Sequence, residues 1–314
     1  MGYNIILKVH ISEVFGVERL NLDSIKHESL GRIFDVLARG GSYTRAELAA
    51  ETELSLMTVG KIAELLTSHG ALIQKKQTSE SVGRKSAVCS LNPNLFMMVY
   101  DLSARPWRLS VIDILSEVRG EYEFDSESMN EISAAAFIEF AGRGGELIGT
   151  ALLISDAEEG IRERFCQLLG RCPELCEMCD RASAVANAAR FDAGISVHIR
   201  VGGDGEIGGA IVDGGRLLGG GFGRAGDFRR LKELAGGLSQ AIAAVCLTLD
   251  PELVRVECAD ESVCRELRQT LPGELQTLAG RSERSLVIET SAESRSAAIG
   301  AALMLRSRWV DSLK

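Results

Sequence analysis

Histidine is scarce in this chain. Four occur in 314 residues, His10, His27, His69 and His198, and they are too scattered to suggest a catalytic pair. No apolar run approaches the length needed to span a bilayer, which excludes a membrane helix. Nothing in the sequence resembles a secretory leader: MGYNIILKVHISEVFGV is interrupted by Lys8, His10 and Glu13 and lacks a cleavage pattern. A cytoplasmic chain is the expectation, and its eight cysteines are then most simply reduced thiols. The length allows roughly two or three domains with a substantial core.

What is present is organised around residues 42–70, SYTRAELAAETELSLMTVGKIAELLTSHG. Thr44 and Glu47 have the spacing of a capping box, and Leu48 and Ala49 face inward from a short helix ending near Glu53. Ser55 caps a second helix, in which Val59, Ile62, Ala63 and Leu66 keep the 3.6-residue period and Gly70 is the stop. Met57, Thr58, Lys61 and Ser68 are left on or near its outer face. Such a pair is an ordinary core hairpin or a unit that enters a DNA major groove. The flanks favour the second. Residues 24–39 form another amphipathic helix, and ALIQKKQ, TSESVGRKS and AVCSLNP give strand, polar tip and strand. Arg84 and Lys85 at that tip are placed to reach a phosphate or a narrow minor groove. Three helices followed by a basic wing make a winged helix-turn-helix over residues 1–92, with residues 1–23 assigned to no element. The DNA-facing set is Thr44, Arg45, Ser55, Met57, Thr58, Lys61, Arg84 and Lys85.

The formal charge of −9 conflicts with DNA binding until it is divided. Residues 1–92 hold 11 Lys and Arg against 10 Asp and Glu, and the remainder holds 24 against 34. Within 61–85 the balance is five basic to two acidic, so the basic excess lies on the second helix and the wing. An acidic body would repel DNA and orient the wing end towards it. Binding should then be salt-sensitive and modest for one protomer.

Past Pro93 the pattern is that of an α/β body. Strands are expected at 95–103, 108–114 and 120–125, then a helix at 131–142, a strand at 150–155 and helices at 159–169 and 182–191. A second series runs as strand 198–201, a glycine-dense stretch, helix 231–249, strand 254–257, helix 262–271, strand 285–289 and helix 293–309. A meander followed by alternating strands and helices, twice over, argues for two lobes.

The stretch GEIGGAIVDGGRLLGGGFGRAGD resembles the ROK family (repressors, open reading frames and kinases), with its G-x-G-I-G-x-G-like turn, DG hairpin tip and A-G-E. The helix pair resembles the family repressors' S-R-x-x-L-A and L-S-x-x-T-V-S, VGRKS their G-R wing, and AVANAA the motif N-D-A-N-A-A. The resemblance covers the chain from about Ser24 onward. It implies a winged helix-turn-helix followed by a two-lobed actin-like (ribonuclease H-like) sugar-kinase fold, with lobes at 93–192 and 193–292 and a terminal helix, 293–314, packing back on the first.

The motif residues that chemistry needs are replaced. Ala184 and Val185 align with the N-D pair whose Asp is the kinases' base, and valine cannot accept a proton. Asp101-Leu102-Ser103-Ala104-Arg105 stands for the phosphate loop D-x-G-G-T, Glu206 replaces a phosphate-turn glycine, and Ala259-Asp260 replaces a later G-G. The family's zinc-site His aligns with Arg230 and its cysteine cluster is missing. The chain should therefore not be an enzyme and should need no cofactor or metal. Its implied partners are an operator duplex, a second copy of itself and a sugar or related effector met by Asn187, Gly205 and Asp227. Two alternatives stay open: an active sugar kinase with an attached DNA-binding domain, and a ligand-independent body acting through dimerisation or a protein partner.

Cys166, Cys172, Cys176 and Cys179 form a separate cluster. Thiolates so close can hold zinc or an iron–sulfur centre. Yet C-x3-C-x2-C matches no standard knuckle, no histidine is near, and buried cysteine equally serves as a small apolar residue.

Overall fold

A computed structural model describes residues 22–76, 87–103, 105–154, 165–167, 175–189, 194–202, 207–218, 225–226, 228, 231, 235–279, 285–290 and 295–313. The chain divides into two compact units, one up to Ser90 and the other from Leu91 onward.

The first unit holds α1 (Leu22–Ala38), β1 (Tyr43–Thr44), α2 (Arg45–Thr52), α3 (Leu56–Ser68), β2 (Leu72–Lys76) and β3 (Ala87–Leu91). The strands lie in the order β1-β3-β2, with Tyr43 opposite Cys89. Local chemistry sets the helix ends. The Thr44 hydroxyl accepts from the Glu47 amide at 3.2 Å while the Glu47 carboxylate accepts from the Thr44 amide at 2.6 Å, closing a capping box. Glu53 takes a left-handed φ of 57° to end α2, and the Ser55 hydroxyl accepts from the Thr58 amide to start α3. Leu30, Ile33, Phe34 and Leu37 from α1, Leu48 from α2, and Val59, Ile62 and Leu66 from α3 are buried.

The second unit contains two sheets of one design. β4 (Leu95–Asp101), β5 (Trp107–Asp113), β6 (Val118–Phe124), β7 (Glu146–Ile154) and β8 (Cys176–Asp180) lie in the order β6-β5-β4-β7-β8. β4, β5 and β6 are antiparallel neighbours, whereas β7 and β8 run parallel to β4. β9 (Ile195–Val201), β10 (Ile207–Asp213), β11 (Arg216–Leu217), β12 (Leu253–Cys258) and β13 (Ser285–Thr290) repeat that pattern as β11-β10-β9-β12-β13. Gly214 and Gly215, with φ of 53° and 77°, supply the doubly left-handed turn between β10 and β11 that a two-residue hairpin requires.

The helices are α4 (Met129–Gly142), α5 (Arg181–Ala189), α6 (Leu238–Leu249), α7 (Glu261–Ala279) and α8 (Ser296–Ser312). α5 packs on β9 and β10 as well as on α8, so it belongs to the seam between the sheets. The α5–α8 contact is so close that a Cβ on Gly300 would stand 1.6 Å from the Ala184 carbonyl oxygen. Among the described residues no helix is long and apolar enough to cross a membrane.

Two expectations change. The helix expected over 262–271 runs on to Ala279 through Pro272, because Leu271 and Leu275 extend the buried stripe begun by Cys264 and Leu267. The helix expected over 231–249 is interrupted at Gly236, at φ 83°, and Gly237, and a helix runs over Leu238–Leu249 beyond them. The cysteine-rich segment 176–180, given no element from the sequence, is a strand. The helix expected at 159–169 lies mostly outside the described residues, as do Glu206, Arg230 and the wing tip with Arg84 and Lys85.

Candidate functional sites

On the first unit, α3 presents Leu56, Met57, Lys61 and Glu64 to solvent, while Val59, Ile62, Ala63 and Leu66 are turned inward. Thr44 and Ser55 are caps, and the Ser55 and Thr58 hydroxyls are 2.9 Å apart. Arg45 lies across Gly60, with its guanidinium 3.9 Å from the Glu64 carboxylate. Caps rigidify the pair, and Leu56, Met57 and Lys61 stand exposed on the outer face, with Glu64 beside Arg45.

On the second unit, the carboxyl ends of the parallel strands converge, which is where open α/β sheets place their ligands. Asp101 ends β4, Asp180 ends β8, Arg200 lies near the end of β9 and Glu257 near the end of β12. Arg181, the first residue of α5, donates through Nε to Glu257 Oε1 at 2.5 Å and through Nη1 to Asp101 Oδ2. Arg181 is 2% exposed and the Glu257 side chain 3%. Asp101 Oδ1 accepts from the Ser103 amide at 3.0 Å and from its hydroxyl at 2.5 Å. Arg200 Nη2 donates to the Ser103 carbonyl at 2.8 Å. One guanidinium therefore bridges the two sheets, and a second ties β9 to the turn after β4. Burial pushes the Glu257 carboxyl above its ordinary value, against the pull of Arg181 and Arg200. For Arg181 burial works in the opposite sense, but the two carboxylates prevail and its pKa is raised.

Val185 lies elsewhere. It is buried with Met97, Val99, Ala301 and Leu305 in the apolar layer between the first sheet and α8. The strand-to-helix junction is instead held by Asp180, whose carboxylate accepts from the Ser183 amide at 2.9 Å and its hydroxyl at 2.6 Å, and by Arg181. Asn187 donates its amide to the Gly300 carbonyl at 3.0 Å, fastening α5 to α8. Gly205 and Asp227 lie outside the described residues.

Cys176 and Cys179, three apart on β8, face opposite sides of the sheet. Cys176 packs with Phe96 and Tyr100, and Cys179 with Met97 and Val99. The two cannot share a metal ion. Cys179 is a buried thiol, with its pKa pushed up to about 12 chiefly by desolvation. Cys172 lies outside the described residues, and among those described no group of His, Cys, Asp and Glu could hold a metal.

The residues that the motif comparison passed over are Arg181, Arg200 and Glu257. For Arg200 and Glu257 the signal was the alternation in SVHIRV and VRVEC, which sets charges on one face of each strand.

Solved structures with this architecture include a ROK-family transcriptional regulator, a homolog of the E. coli MLC protein. It aligns over 92% of this chain and 98% of its own at a TM-score of 0.66 and 14% identity. The chain has the ROK-family fold. A ROK-family glucokinase from Streptomyces griseus, solved with glucose and AMPPNP, covers 67% of this chain and 98% of its own, at a TM-score of 0.47 and 14% identity. A ROK hexokinase from Thermus thermophilus covers 66% and 97%, at 0.46 and 17% identity. No protein-family model matches the sequence, and no curated protein is significantly similar to it.

Proposed function

We propose that the chain is a cytoplasmic DNA-binding transcription regulator of the ROK type, whose kinase-like body has lost phosphoryl transfer. The observation that carries the DNA-binding half is the doubly capped α2–α3 pair with the outer face of α3 free. With α1 and the strands on either side of residues 77–86 it makes a winged helix-turn-helix. Arg181 supports the loss of catalysis. It stands where a strand end meets a helix, so Asp180-Arg181-Ala182-Ser183 is a better counterpart of N-D-A-N than Ala184-Val185-Ala186-Asn187. A guanidinium keeps its proton at any working pH and cannot serve as the base. Leu102 and Ser103 fill the turn where the kinases use glycines, and Arg200 already occupies the Ser103 carbonyl.

Dimerisation accords with a recognition helix that reads one half-site. A sugar effector would meet Asn187, Gly205 and Asp227. A body without a ligand is the second reading, favoured by the direct bonds of Arg181 to Asp101 and Glu257 and of Arg200 to the Ser103 carbonyl, which join the sheets. Selection of bound sequences from a random duplex pool, paired with a coupled kinase assay over hexoses and N-acetylated amino sugars, tests the proposal. Enrichment of one two-fold symmetric sequence without ATP turnover is expected. Turnover with no enriched sequence would make the chain a kinase.

A further inference from the structure

Met57 is 72% exposed and Leu56 61%, which makes Met57 the most exposed large apolar side chain among the described residues. They occupy successive positions in the opening turn of α3. Packing explains neither, because the buried stripe of this helix is Val59, Ile62, Ala63 and Leu66. The polar groups beside them are committed: Ser55 caps the helix and the Thr58 hydroxyl meets that of Ser55. The opening turn therefore offers carbon to a partner, with Lys61 one turn further along the same face.

We infer, on the basis of the DNA-binding reading above, that Leu56 and Met57 read thymine through its C5-methyl group in the major groove. The methyl is the one apolar feature that base edges display there, and a helix fits that groove. The patch suits this occupant in size and surroundings. Two side chains are far too few for a stable protein interface. Lys61 beside them adds attraction to a phosphate backbone. Glu64, on the same face, faces the Arg45 guanidinium at 3.9 Å.

Replacing thymine by deoxyuridine removes the methyl and keeps every Watson–Crick and groove hydrogen-bonding atom. The experiment measures Kd by fluorescence anisotropy for the full chain on an enriched duplex with each thymine in turn replaced by deoxyuridine. At one thymine position in each half-site wild-type binding should weaken about fourfold per methyl, the worth of one buried CH₂-sized group. Each of Met57→Ala and Leu56→Ala should shrink that difference, and the double variant should bind the thymine and deoxyuridine duplexes equally. Both positions are exposed, so neither variant threatens folding. Tight binding that no deoxyuridine substitution alters would overturn this inference and leave the DNA-binding reading intact. Absence of any sequence-selective binding would remove both. A changed oligomeric mass in Met57→Ala, with the response to deoxyuridine unaltered, would assign the patch to a second copy and overturn it as well.

Discussion

Arg181 and Glu257 belong to different halves of the second unit, yet their side chains meet at 2.5 Å with almost no exposure to water. Removing one partner leaves the other charge buried and uncompensated. Arg181→Met should cost about 3–5 kcal/mol in urea unfolding of the full chain. Adding Glu257→Leu to Arg181→Met should restore a large part of that loss. A single substitution within about 1 kcal/mol of wild type would mean that water reaches the pair. Arg181→Asp should not create kinase activity, because positioning and electrostatics act together in phosphoryl transfer.

Gly300 tests the seam from the other side. Its missing Cβ would lie 1.6 Å from the Ala184 oxygen and 2.5 Å from its carbonyl carbon, so Gly300→Ala has to move backbone. A loss of at least about 3 kcal/mol is expected. Ala184→Gly should not relieve it, since the obstructing atoms are main chain. Calorimetric midpoints of the two single variants and the double decide this, and rescue by Ala184→Gly would refute the backbone clash.

His198 is a neutral buried base. Burial, and then the positive charge of Arg255, depress its pKa to about 4, while Ser196 Oγ lies 3.2 Å from its Nε2. The unfolded chain therefore binds more protons than the folded one between about pH 4 and the ordinary value of 6.5. The associated stability is complete above that window and disappears as pH falls through it, about 3 kcal/mol in all. Unfolding free energies of wild type and His198→Gln from pH 7 to pH 5 should diverge accordingly, with the variant showing the shallower slope. Parallel curves would show that the imidazole is solvated.

Much of this architecture was legible in short-range pattern. The caps at Thr44 and Ser55 and the apolar runs of β4, β5 and β12 are local signals, and local signals survive folding. β8 was not legible, because cysteines at 176 and 179 invite a metal reading when they lie on opposite faces of one strand. The seam was hidden for a different reason. Arg181 is 80 residues from Asp101 and 76 from Glu257, and no periodicity reports a contact of that range. AVANAA drew the motif comparison by its letters, whereas the junction residue that faces Asp101 and Glu257 is Arg181, one helical turn earlier. Pro272 misled in the opposite direction, where buried leucines on either side outweighed the lost hydrogen bond.

The capping box should matter to recognition as well as to folding. Thr44→Ala removes the hydroxyl that holds the Glu47 amide and should destabilise α2 by about 1 kcal/mol. Amide exchange in the first turn of α2 should accelerate, while that of β4 and β7 in the second unit stays unchanged. Equal acceleration in both units would mean that they unfold as one.

The central claim, that this chain reads DNA through α3, is tested most directly by an anisotropy titration of the full chain on its enriched duplex across a range of salt concentrations. The account predicts tight binding of two chains per site, with log K falling linearly as log salt rises and Lys61→Ala making that slope shallower by about one per protomer. Binding no tighter than to random duplex at low salt, with the same slope for wild type and Lys61→Ala, would contradict it.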